Sequence, residues 1–75
     1  MNDKDIKARL GLASRSVADL IEDHQDVLSE DDKICETINK SRESLEFFLA
    51  LGEESRALYE AENCKKSILS FLGLV

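Results

Sequence analysis

Apolar or small residues recur at Ile6, Leu10, Ala13, Val17, Leu20, His24 and Val27 in steps of four and three, the spacing that lines one face of an α-helix. Only His24 interrupts the stripe. A second series runs Ile34, Ile38, Ser41, Leu45 and Phe48, and stops at Gly52, a residue suited to the left-handed conformation that ends many helices. A third runs Ala57, Ala61, Cys64, Ile68, Phe71 and Val75, with Leu58 and Leu72 widening the stripe. The pattern predicts an all-α fold of three antiparallel amphipathic helices, roughly Asp3 to Leu28, Glu30 to Leu51 and Glu53 to Leu72. They make one domain over residues 1–75.

The first boundary carries the weakest signal, because Ile34 follows Val27 by seven residues and the heptad phase is kept. One helix from about Leu12 to Leu51 would satisfy the spacing. Against it, "SEDD" sets Ser29 three residues ahead of an acid, the capping-box arrangement that satisfies free backbone N–H groups at a helix start. Acids in the first turn also suit the positive end of the helix dipole. A continuous helix would bury Asp31 in its seam without an evident partner. A break at Ser29 is expected.

Seventy-five residues bury only about 60–65% of the surface their unfolded chain exposes, so a private core is marginal. Two stretches hold more apolar surface than three helices hide. "LEFFLALG" is apolar on nearly every side, since Phe47 and Leu51 lie off the stripe of Leu45, Phe48 and Leu49. "SILSFLGLV" ends the chain without a charged side chain. Such surface marks an interface, which predicts a homo-oligomer or a subunit of a larger complex.

Composition adds exclusions. The chain is 43% hydrophobic and 35% charged with no proline, which suits a folded helical domain. No apolar run reaches the ~18 residues that cross a bilayer, and the N-terminal residues lack the apolar core of a secretory signal. A cytoplasmic location with reduced thiols is expected. One histidine and two cysteines are too few for a closed zinc site or a disulfide framework. Cys35 lies seventeen residues before Gly52 and Cys64 twelve after it. The five-residue offset in a hairpin is about 7.5 Å of helix axis, which argues for two buried free thiols rather than a bridge.

The net charge is -6, concentrated in one stretch: residues Ala13 to Lys33 hold seven acids against Arg15 and Lys33. That distribution weighs on a resemblance near the N-terminus. "LGLASRSVADLI" resembles the turn and recognition helix of bacterial helix-turn-helix repressors, with Gly11 at the turn and Val17 as the core residue six positions on. The resemblance covers about a dozen residues. Lys7 stands where such motifs place a small residue, and too few residues precede it for a supporting helix. It implies a DNA-binding regulator using Gly11 to Val17. A recognition helix needs cations near phosphates, whereas this one would present Asp19, Glu22, Asp23 and Asp26. The charge argues against nucleic acid. Gly11 then reads as a joint: a close helix crossing, a late helix start, or a kink with "SVAD" (Ser16 to Asp19) as a second capping box.

Catalytic signatures are missing: no nucleophile has a partner in sequence, no glycine-rich loop suits phosphate, and His24 reads as a partly buried seam residue. No enzyme activity, cofactor or metal is expected. The sequence points to a small acidic regulator or adaptor, of bacterial or phage type, that binds another protein. Its expected apolar anchors are Phe47, Leu51, Phe71, Leu72 and Leu74. The acidic face of Asp19, Glu22, Asp23, Asp26 and Glu30 would steer a basic or nucleic-acid-binding partner. A purely structural oligomerisation module is the other alternative.

Overall fold

In the computed structural model, which describes residues 3–74, every regular element is helical: α1 (Asp3–Asp23), α2 (Gln25–Leu28), α3 (Asp32–Ala50) and α4 (Glu54–Leu72). Three are long, and α2 is a single turn. The amphipathic stripes explain the packing. Leu10 and Ala13 of α1 bury with Ala57, Leu58 and Ala61 of α4, joined by Ile6, Leu45 and Phe48. About two turns further along α4, Leu28, Ile34, Ile38, Cys64 and Ile68 form a second cluster with Val17, Leu20, Ile21 and Leu72. The pairing order fixes the directions. Early α1 meets early α4, so these two run parallel, while late α3 meets early α4, so those run antiparallel.

α4 is the central element. α1 and α3 each pack along it, and any approach of α1 to α3 is far slighter. Its small residues permit this: Ala57 is fully buried and Ala61 nearly so, letting flanking helices come close. The elongated shape, 38 × 21 × 17 Å, follows from laying three helices side by side. Two ion pairs, Arg9–Glu62 at 3.2 Å and Lys7–Glu54 at 4.0 Å, link α1 to α4 at the surface. Solvated pairs of this kind add little.

The expected break at Ser29 is present, α2 ending at Leu28 and α3 starting at Asp32, but an additional bend precedes it. The chain bends first at His24, whose N–H still donates to the Leu20 carbonyl, and then adds the single turn of α2. The bend shifts the apolar phase by one residue, so Leu28 rather than Val27 enters the core, and Val27 is exposed. Nor is Ser29 the cap. Its hydroxyl donates to the Asp26 carbonyl, and Asp31 caps α3 by accepting the Ile34 N–H at 3.0 Å. Asp31 is therefore spared the seam position that an unbroken helix would have imposed. Asp31→Ala should cost about 1 kcal/mol of stability in urea titration. No loss would remove this cap from the account.

Gly52 behaves as the pattern predicts. It adopts φ 75°, the Glu53 N–H donates to Phe48 O and the Gly52 N–H to Leu49 O, the paired bonds that close a helix C-terminus. Gly73 ends α4 in the same way, its N–H donating to Ser70 O and that of Leu74 to Leu69 O. Val75, expected on the third stripe, lies outside the described residues.

Gly11 overturns the expectation of a joint. α1 passes through it unbroken, and a methyl group added there would meet nothing within 4 Å. Neither a close crossing nor a turn requires glycine, and Ser16 is helix interior rather than a cap. The segment from Gly11 to Val17 therefore lacks the turn that the repressor-like resemblance implies. Gly11→Ala should stabilise the chain by about 0.5–1 kcal/mol, read as a higher midpoint with unchanged slope in denaturant. Destabilisation would reveal a constraint at this position that the helix geometry does not contain.

Candidate functional site: an open groove between α1 and α3

Because α1 and α3 both pack on α4, a groove of about 150 Å³ stays open between them. Its walls are mainly apolar: Val17, Ala18 and Ile21 on one side, Ile38 and Leu45 on the other, with Ala61 and Cys64 as the floor. Polar atoms enter at Ser14, Ser41, Arg42 and Glu60. A neighbouring depression lined by Ile21, Gln25, Leu28, Cys35, Ile38 and Arg42 continues it toward α2. From Ser14 to Gln25 the two span about 17 Å at 1.5 Å per residue, or about three helical turns. The spacing on each wall, Ser14–Ala18–Ile21 and Ile38–Ser41/Arg42–Leu45, is that of a helix face prepared for another helix.

Cys64 sits at the floor of this groove. Burial pushes its thiol up from the usual range, opposed by the Ser41 hydrogen bond and the Arg42 charge and aided by Glu60. It stays protonated at neutral pH and acts as a small apolar surface. Both cysteines are free. Cys35, expected to be buried, is half-buried instead, and its Sγ donates to the Leu28 carbonyl at 3.1 Å. That contact quiets a carbonyl at the end of α2.

The expected anchors are not gathered into one patch. Phe47 and Leu51 are 60% and 58% exposed, Phe71 39% and Leu74 60%. However, the first pair lies at the α3 C-terminus and the second at the α4 C-terminus. These ends are opposite because the two helices are antiparallel. α4 alone separates them by about 28 Å. Leu72 is not a free anchor, since it packs against the second cluster. Phe47 meets Phe48 edge to face at 5.8 Å, and Arg56 covers Phe48 at 5.9 Å from the ring centre.

The acids are placed more coherently. Asp19, Glu22 and Asp23 stand exposed on the last turns of α1, Asp26 on α2, and Glu30 in the turn after it. Among the described residues, none of the five joins an ion pair. Asp19 and Asp23, four residues apart, repel one another, and acids at a helix C-terminus oppose the dipole, with no basic residue in the last turn of α1. Asp23→Lys should raise stability by a few tenths of a kcal/mol at low salt, with the gain shrinking as salt is added. An equal gain at high salt would mean that charge is not the cause.

Several surface features were not legible as sites. Ala18, Ile21 and Arg42 flank the main stripes rather than forming them; the only sequence signal was that Ala18 and Ile21 broaden the first stripe on one side. Leu12, 67% exposed, lies with Arg9, Lys65 and Lys66 along a shallow depression between α1 and α4. Among the described residues, no helix is long and apolar enough to cross a membrane, and no group of three or more His, Cys, Asp or Glu could hold a metal. No protein-family model, curated protein or solved structure matches this chain.

Proposed function

We propose that this chain is a small helical interaction module, a regulator or adaptor, that works by binding another protein rather than by catalysis. The open groove between α1 and α3 carries the proposal: two long helices packed on α4 leave apolar walls at helical spacing with no element of the described residues laid across them. An amphipathic helix seated in such a groove is a standard mode of recognition. The three long helices thus form an incomplete bundle that a fourth would close. The exposed anchors at the two ends, Phe47 with Leu51 and Phe71 with Leu74, extend the surface over which a partner, or a second copy, associates.

Affinity capture from the native cell tests this, with the wild-type chain and Ala18→Arg as parallel baits. Ala18 is exposed at the groove lip and arginine is a good helix former, so the variant keeps its fold, verifiable by circular dichroism. A protein held by the wild type and lost by Ala18→Arg is the expected result. Equal capture by both baits, or a lone compact monomer with nothing bound, contradicts it.

A further inference from the structure

We infer that the occupant of the α1–α3 groove is a cationic amphipathic helix from a different polypeptide. This rests on the groove being a binding site, as argued above, and goes further by fixing the partner's chemistry. The walls ask for an apolar stripe about three turns long. Around them acids outnumber cations: Glu60 and Arg42 line the groove, Glu22 stands one turn beyond Ala18 and Glu46 one turn beyond Arg42, while Asp19, Asp23 and Asp26 lie further round the exposed surface of α1 and α2. Arg15 and Arg42 are the opposing cations. A bound helix with lysine or arginine flanking its apolar stripe meets Glu22 on the α1 lip and Glu46 on the α3 lip.

A second copy of this chain fits poorly. It carries the same -6 charge, so acidic lips would face acidic lips. Among the described residues it also offers no free apolar helix face. The exposed large apolar side chains of α1, α2 and α4 are Leu12, Val27, Tyr59 and Phe71, at most one near the middle of any long helix. Phe47, Leu49 and Leu51 crowd the last turn of α3 and its cap.

The test uses two synthetic peptides of about 18 residues, sharing one leucine and alanine stripe at helical spacing, with lysine and arginine on the polar face of one and glutamate on the other. Binding is followed by fluorescence anisotropy and by backbone NMR shifts of the full chain. The cationic peptide is expected to bind, shifting Ala18, Ile21, Ser41 and Leu45. Its affinity should fall about tenfold or more in Ala18→Arg and about tenfold in the double variant Glu22→Lys, Glu46→Lys, with the second loss vanishing at high salt. If the acidic peptide binds as tightly, the charge inference fails while the groove stands. If neither peptide shifts the groove residues, the groove fails as a helix site. Groove shifts that grow with protein concentration alone assign the site to a second copy and overturn the inference.

Discussion

Ile68→Ala is expected to lower stability by about 3–4 kcal/mol, a large share of the roughly 4–11 kcal/mol that a domain of this length holds. Ile68 has no exposed surface and is the largest side chain so enclosed. It lies where α4 meets α3 and the end of α1, packed with Leu28, Ile34, Ile38 and Cys64. The loss combines the transfer of three carbons to water with a cavity that surrounding helices fill only in part. Ile68→Val, which keeps the branching, should cost only about 1 kcal/mol. Urea titration of both variants checks the pair. A loss under about 1 kcal/mol for Ile68→Ala would show that the second cluster is not the main source of stability.

Ala57→Leu probes the other cluster from the opposite direction, and is expected to cost about 2 kcal/mol or more because the added carbons find no room. Ala57 is fully buried against Leu10, Ala13, Leu58 and Ala61. A larger side chain there must push α1 away from α4 or force neighbours off their rotamers. The control is Ala50→Leu on exposed α3 surface, expected to change stability by about 0.5 kcal/mol or less. Thermal unfolding of both compares them directly. Equal effects would mean that α4 is not gripped between its neighbours as the small residues indicate.

The two clusters also show how far the sequence could be read. Steps of four and three placed Leu10, Ala13, Ile34, Ile38, Ala61 and Ile68 on inward faces, because a helix repeats its face every 3.6 residues whatever surrounds it. Gly52 was legible for a similar reason: a left-handed residue at a helix end strongly favours glycine. The bend at His24 was not. Its backbone geometry has no dedicated residue type, and it altered the outcome for Val27 and Leu28 together. The cap was misplaced by two residues because "SEDD" offers three capping side chains, and only the path of the chain selects Asp31.

The site was harder to read than the fold. Apolar residues off the stripes, Phe47, Leu51 and Leu74, are exposed, and so is Phe71, although the third stripe includes it; but exposure is a property of one residue and a patch is a property of several. The antiparallel course of α3 and α4 separates those anchors to opposite ends. The groove, by contrast, arises from a spacing between two helices that both pack along α4. Ala18 and Arg42 acquire meaning through that gap, and nothing in their own sequence surroundings announces it.

The central claim is that the chain leaves the space between α1 and α3 uncovered, and methyl NMR with a soluble paramagnetic agent tests it most directly. Quenching should be strong at Ala18 and clear at Ile21 and Leu45, weak at Ala57 and Ile68, and unchanged as the protein is diluted. Protection of Ala18, Ile21 and Leu45 equal to that of Ile68 would mean that the groove is closed within the chain itself, and would contradict the account.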